Sequence, residues 1–379
     1  MMKSRAAVLR TMGAIHPYAE SKPLTVEDIA LDAPGPGEVM VRIHAAGLCH
    51  SDLSVINGSR PRPMPMALGH EAAGVVEALG PHVDDLAVGD HVVMVFMPSC
   101  GHCVPCAEGR PALCEPGARA NGAGLLLSGH GRLHDGRDGS TIHHHLGCSA
   151  FAERAVVSRH SLVKIDKELP LPIAALFGCA VLTGAGAVIN TAGLQPGQTA
   201  VIIGMGAIGF AALLAAAASG ASQIIAVDIL DDKLELALSM GATDVVSARD
   251  PDAIERVRAL TDGGADFAFE FAGVTKALEQ AYRMTRRGGT TITAGLPPPD
   301  ATLPVNVVNL VAEERSLKGS YIGTCVPVRD VPRYIALYRA GRLPVDKLMN
   351  GTIPLDRINE GFDRLHEGSV LRLVVDLAG

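Results

Sequence analysis

At 379 residues the chain exceeds the ~250 residues at which one hydrophobic core usually stops growing, so two domains are expected. A hydrophobic share of 48% with 42 glycines is ordinary for a globular protein and excludes an intrinsically disordered chain. A net charge of -7, only 3% aromatic residues and no Trp exclude the basic, aromatic-rich surfaces that hold nucleic acid.

The opening MMKSRAAVLRTMG has no apolar core of signal-peptide length, which makes the cytoplasm the expected location. Short alternating runs at Glu38 to Ala45 and Ala73 to Ala78, punctuated by PGPG and VGD, predict a β-rich first domain. The Gly/His-rich stretch Ala118 to Gly147 reads as a long loop. From Thr199 the texture changes to a strand (TAVIIG), an Ala-rich helix over Phe210 to Gly220, a strand over Gln223 to Asp228 and a helix over Asp231 to Met240. Further strands are expected at Phe267 to Phe271 and Thr290 to Ala294. Strands alternating with helices imply right-handed crossovers and a doubly wound parallel sheet, so the fold class is α/β. The apolar stretch Phe210 to Ala218 is shorter than the ~20 residues a membrane helix needs, and no membrane partner is expected.

Three motifs carry chemistry. In CGHCVPCAEGRPALC, Cys100, Cys103, Cys106 and Cys114 follow one another as Cys-x2-Cys-x2-Cys-x7-Cys, a spacing suited to four thiolates around one tetrahedral zinc. An iron–sulfur cluster competes for such a run, but the seven-residue final gap and the lack of a second cluster motif count against it. Four thiolates close the coordination shell, so this ion is structural. Cys49 in GLCHSDLS, His70 in GHEAAG and Cys179 in FGCAVLTGAG offer three further ligands that would leave a fourth position open, although each alone reads as an ordinary buried side chain. GMGAIG follows an apolar strand and opens a helix, the setting in which Gly204, Gly206 and Gly209 admit a pyrophosphate to the helix N-terminus. Asp228 ends the next strand, where a carboxylate accepts from ribose hydroxyls and repels a 2'-phosphate, favouring NAD; it can also simply cap the helix from Asp231.

These motifs, in this order, together with GHEAAGVVEALG and the closing INEGFDRLHEGSVLR, make the whole chain resemble the zinc-containing medium-chain alcohol dehydrogenases, especially the longer, dimeric members and the aryl or benzyl alcohol enzymes. The resemblance implies a GroES-like catalytic domain over 1–181, a Rossmann NAD domain over 182–321 and a return to the first domain over 322–379. It implies two zinc ions per subunit, one structural and one catalytic on Cys49, His70 and Cys179. Glu71 matches a carboxylate beside the metal, Asp52 the acid that orients the ligating histidine, and Ser51 the hydroxyl that takes the alcohol proton. His50 matches a cation at the pyrophosphate. Ser54 stands where many members carry a histidine that hands the proton to solvent, leaving the exit to the cofactor ribose, water or another base.

Lys233, Thr183, Ile208, Ala294 and Arg372 match cofactor positions, the middle three packing on the nicotinamide. Phe96, Leu146, His145, Arg60 and Arg119 match positions lining or surrounding the substrate pocket. The first two favour an apolar alcohol, while Arg60, Arg119 and His145 fall where the family is often apolar or aromatic. A hydroxy acid or a thiol adduct held by Arg60 and Arg119 is therefore the alternative substrate, although Ala118 stands where the formaldehyde branch has its arginine. A non-catalytic relative that keeps the fold for binding is the alternative of another class. The expected activity is reversible oxidation of a primary or secondary alcohol to an aldehyde or ketone by hydride transfer to NAD. The segment from Thr290 through PVNVVNLV matches the family's subunit seam and implies a homodimer, with a tetramer as alternative.

Overall fold

In the computed structural model, which describes residues 1–378, the chain divides into two units. The first comprises Met1–Cys179, Val326–Ile335 and the chain from Asp346 on; the second comprises Ala180–Cys325 and Ala336–Val345.

The first unit is β-rich. Strands Met2–Leu9, Leu24–Leu31, Leu133–Asp135, Thr141–His144 and Met66–Ala67 close into a small barrel. Beside it runs a sheet in the order Leu162–Ile165, His91–Met94, Glu71–Leu79, Glu38–Gly47, Arg372–Asp376 and Met349–Pro354. Alternating apolar positions such as Ala6, Val8, Ile29, Leu31 and Val156 turn inward to form the barrel core, as period-two patterning requires. The chain from Asp346 on returns to this unit, and its strand Arg372–Asp376 pairs antiparallel with Glu38–Gly47.

The stretch Ala118 to Gly147 is not a long loop. It begins inside the helix Glu115–Ala123 and ends with the strand pair Leu133–Asp135 and Thr141–His144. Cys114 caps that helix, its sulfur accepting from the Gly117 N–H, and Pro116 suits the first turn. Asp135, Gly136 and Gly139 supply the turn chemistry of the hairpin, the Asp135 carboxylate accepting from the Arg137 N–H at 2.9 Å. Glycine and histidine content conceals these elements because their apolar contacts are few: Leu126, Leu133 and Ile142 alone bury into the barrel core.

The second unit carries a six-stranded parallel sheet ordered Asp244–Ser247, Gln223–Asp228, Thr199–Ile203, Ala265–Glu270, Thr285–Thr293 and Ser316–Gly319. Helices Ala207–Ala218, Asp231–Ser239, Ala253–Leu260 and Thr275–Met284 alternate with its strands. The chain order reverses between Thr199–Ile203 and Ala265–Glu270, the switch point at which open α/β sheets bind ligands. Strands Val201 to Ile203 and Ile225 to Val227 are apolar on both faces because helices cover both. No single helix among the described residues is long and apolar enough to cross a membrane.

Candidate metal centre and cofactor loop

Strand register assembles the dispersed metal ligands. Glu38–Gly47 and Glu71–Leu79 run antiparallel with Gly47 opposite Glu71, so Cys49 and His70 emerge just beyond the same paired end. Cys49 ends the strand's exit and precedes the helix His50–Ile56, which hands Asp52 back toward His70. Cys179 follows the turn Leu176–Gly178 at φ -142°, ψ -72°, a break that turns its side chain out of the helical path before Ala180–Gly186 begins.

The three ligating atoms lie within 4.8 Å of one another, and all three residues are buried. Cys179 Sγ is 3.5 Å from His70 Nε2. Zinc bonds of ~2.3 Å to sulfur and ~2.05 Å to nitrogen at a tetrahedral angle require about 3.6 Å between those atoms, so this sulfur–nitrogen pair already has the spacing that ion needs. Two soft sulfurs and one imidazole also select zinc over the hard cations.

The opposite ring nitrogen of His70 is held from behind. Asp52 is fully buried, and its Oδ1 accepts from His70 Nδ1 at 3.1 Å and from the Gly69 N–H at 3.1 Å. Gly69 has φ +95°, and a Cβ there would meet the Phe151 backbone nitrogen at 2.4 Å, so only glycine lets the loop approach so closely. Burial pushes the Asp52 carboxyl up, but the His70 charge and the histidine contacts leave it below its usual range. His70 is in turn held well above the ordinary histidine range: burial opposes its charge, while Asp52 and the Cys49 thiolate favour it more strongly. Cys49 is held well below the usual thiol value, first by its hydrogen bond with Cys179 and then, against burial, by the charges of Arg372 and His70. Cys179 is pushed up by the same pairing, so without metal the two sulfurs share a proton that sits on Cys179.

Glu71 and Arg372 form a second buried layer. Arg372 Nε lies 3.2 Å from Glu71 Oε1, and an Nη donates to the Leu48 carbonyl. The pairing of Val374 with Gly47 puts Arg372 beside Cys49. Arg372, matched by resemblance to a cofactor position, thus also reaches into the metal cluster. An Arg inside the apolar run LRLVV was the available signal for such a partner, since a buried guanidinium must be paired.

Ser51 is half-buried in the first turn of His50–Ile56, and His50 at its start is exposed. Ser54 Oγ donates to the His50 carbonyl at 2.9 Å. Phe96 is buried and meets the His70 ring edge-on at 5.3 Å. Leu146 is buried at φ +51°, and His145 is buried against Asp52. Arg60 is half-buried and Arg119 is exposed on Glu115–Ala123.

Cys100, Cys103, Cys106 and Cys114 gather their sulfurs within 4.8 Å. The Cys100 and Gly117 N–H groups donate to Cys114 Sγ at 3.1 and 3.3 Å, and the Cys103 N–H donates to Cys100 Sγ at 3.3 Å. Such N–H···S bonds stabilise thiolates, and backbone donors from His102 and Cys103 bring Cys100 down to about 6 although desolvation opposes them. None of the eight cysteines is joined in a disulfide, which leaves the six clustered sulfurs available to metal.

In the second unit the glycine-rich turn is built for close approach. Gly204 has φ +91°, and a Cβ there would meet the Ala272 nitrogen at 2.7 Å; one at Gly209 would meet the Gly204 carbonyl oxygen at 2.1 Å. Gly206 faces open space and caps Ala207–Ala218, leaving room for a phosphate at the helix start. Asp228 Oδ2 accepts from the Met205 N–H at 2.6 Å and Oδ1 from the Leu230 N–H at 2.9 Å. The helix cap itself is Leu230, so Asp228 is not the cap; it ties the glycine turn to the strand end and keeps lone pairs on both oxygens. Lys233 and Ile208 are half-buried on the two helices that follow these turns; Thr183 is buried in Ala180–Gly186, and Ala294 follows the strand end at Thr293.

Comparison with known proteins places both domains in one family. Residues 35–167 match the alcohol dehydrogenase GroES-like domain, and residues 207–340 match the zinc-binding dehydrogenase domain. The chain is 39% identical to the NDMA-dependent alcohol dehydrogenase of Amycolatopsis methanolica, covering 99% of both chains. It superposes on an alcohol dehydrogenase zinc-binding domain protein from Burkholderia ambifaria (36% identity, TM-score 0.93) and on benzyl alcohol dehydrogenase from Acinetobacter calcoaceticus (33% identity, TM-score 0.92), covering 99% of each. With a GroES-like domain, a Rossmann-type parallel sheet and full-length relatives named alcohol dehydrogenases, the chain belongs to the zinc-containing medium-chain alcohol dehydrogenases, oxidoreductases acting on the CH–OH group of alcohols.

Proposed function

We propose that the chain oxidises a primary or secondary alcohol, including aromatic ones, to the aldehyde or ketone with NAD, and that each subunit holds a catalytic zinc on Cys49, His70 and Cys179 and a structural zinc on Cys100, Cys103, Cys106 and Cys114. The observation that carries this reading is the buried Cys49, His70, Cys179 triad, whose three donors suit an ion with one open position. When bound, zinc supplies Lewis acidity at the alcohol oxygen and NAD accepts the hydride.

The chain's own residues do the rest. Asp52 fixes the His70 tautomer with Nε2 toward the sulfurs. Ser51 receives the alcohol proton, since one hydroxyl both donates and accepts. Ser54 Oγ is engaged with the His50 carbonyl, so the proton leaves Ser51 by the cofactor ribose or by His50 rather than through Ser54. Phe96 beside His70 supports an apolar or aromatic substrate, as does the benzyl alcohol activity named for one structural relative. Gly204, Gly206 and Gly209 receive the pyrophosphate, and Asp228, with Lys233, takes the adenosine ribose and favours NAD over NADP. Cysteines that serve as metal ligands rather than disulfide partners fit a reducing, cytoplasmic setting.

A homodimer is part of the same reading. The strand Ser316–Gly319 ends the parallel sheet with an open edge, and Val307, Val308 and Val311 on the preceding helix are exposed, Val308 at 72%. An open edge beside an apolar helix face favours strand pairing with a second copy. The test is NAD reduction across alkanols, benzyl alcohols and ω-hydroxy acids. Turnover of benzyl alcohols that falls ~10²–10⁴-fold in Ser51→Ala with zinc content unchanged is expected; preference for the hydroxy acids, lost in Arg119→Ala, would replace the apolar-substrate reading.

A further inference from the structure

A buried acid stands at the carboxyl edge of the parallel sheet. Glu270 ends the strand Ala265–Glu270, next to Thr199–Ile203 at the switch point where open α/β sheets bind ligands, and it is 1% exposed. Its two carboxylate oxygens reach different segments. Oε1 accepts from the Gly273 N–H at 2.6 Å, in the loop after its own strand. Oε2 accepts from the Thr293 hydroxyl at 2.7 Å, at the end of the neighbouring strand Thr285–Thr293. The Ala294 and Gly295 N–H groups add bonds to the Glu270 carbonyl at 3.1 and 3.2 Å.

Both loops are built on glycine. A Cβ at Gly295 would lie 2.4 Å from the Gly273 nitrogen and 2.6 Å from Glu270 Oε2, and Gly273 has φ +69°, so the close approach of the loops requires these residues. The same glycines leave the backbone permissive unless a side chain anchors it. The loop after Glu270 also packs on the glycine-rich turn, where a Cβ at Gly204 would meet the Ala272 nitrogen. We propose that Glu270 is a positioning residue for the cofactor: its carboxylate clamps the loop 271–274 to Thr293 and so sets NAD affinity through loop placement, without touching the reacting atoms. This rests on the reading of the second unit as the NAD site. Loops fixed before binding spare the ligand the cost of ordering them, and a loosely held site loses affinity.

The test uses the zinc-loaded chain and three variants. Thr293→Val removes only the hydroxyl, Glu270→Gln keeps an acceptor for Gly273 and an amide for Thr293, and Glu270→Leu removes both bonds. The dissociation constant of NADH is read from the fluorescence of the bound nicotinamide, and KM for NAD and for the alcohol from initial rates. Thr293→Val is expected to weaken NADH binding and raise KM for NAD about 3- to 10-fold, the effect of one hydrogen bond. Glu270→Leu should weaken both further, and Glu270→Gln should stay within about twofold of the parent, with zinc content and KM for the alcohol unchanged throughout. Thr293→Val carries the decision if Glu270→Leu does not fold. Parental cofactor affinity in Thr293→Val, even with a lowered thermal midpoint, would mark a clamp that only supports the fold and would overturn the proposal, as would equal losses in Glu270→Gln and Glu270→Leu. A parent that binds no NADH would overturn the NAD reading itself, and this proposal with it.

Discussion

The Glu71–Arg372 pair gives a sharp energetic test because both partners are buried and neither can turn to water. Arg372→Leu removes the guanidinium beside the buried Glu71 carboxylate, and with it the cation that favours the Cys49 thiolate. Breaking one side of a buried pair costs about 3–5 kcal/mol, whereas replacing both partners is often close to neutral. Urea unfolding of the zinc-loaded protein reads this directly through the midpoint at constant slope. Arg372→Leu is expected to lose about 3–5 kcal/mol, and the double variant Arg372→Leu with Glu71→Gln to recover roughly 1–3 kcal/mol of that loss, the coupling typical of residues in contact. Strictly additive losses, or a cost below about 1 kcal/mol for Arg372→Leu, would refute the argument that the two charges sustain one another.

Zinc binding at the catalytic site should be strongly pH-dependent. His70 and Cys179 both hold protons more tightly than usual in the metal-free cluster, and both must release them, so affinity is expected to rise about tenfold per pH unit for each proton displaced near neutrality; a flat profile by metal-competition titration contradicts this. Cys106→Ser opens the four-thiolate shell and should leave one zinc per chain with a lowered thermal midpoint, as elemental analysis and calorimetry would show. Burial brings His144 down to about 3, and its Nε2 accepts from the Arg132 N–H at 3.0 Å, so the folded state keeps it neutral. The stability this represents is present above the unfolded value of ~6.5 and is lost as pH falls below it, at about 1.4 kcal/mol per pH unit. His144→Asn is expected to flatten that slope between pH ~6 and ~4, measured by denaturation at a series of pH values.

Motifs confined to a few consecutive residues were legible in the sequence. The four-cysteine loop and the glycine turn carry their geometry locally, and the strand at Gln223 to Asp228 has the predicted bounds because its apolar run is flanked by turns. The triad was legible only through resemblance, since bringing Cys49 to His70 depends on the strand register that sets Gly47 against Glu71. The helix and hairpin within Ala118 to Gly147 escaped notice because sparse apolar residues hide their periodicity. The partners of Arg372 and His145 were hidden for a different reason: each contact joins residues far apart in sequence, and no spacing rule reports which face of a short strand or turn meets a buried carboxylate.

The most direct test of the central claim is zinc stoichiometry combined with alcohol-dependent NAD reduction in the parent and in Cys49→Ser. Two zinc ions per parent chain, and one per Cys49→Ser chain with alcohol oxidation abolished, is the predicted result. A parent holding a single zinc, or a Cys49→Ser protein that still oxidises alcohols at the parent rate, would contradict it.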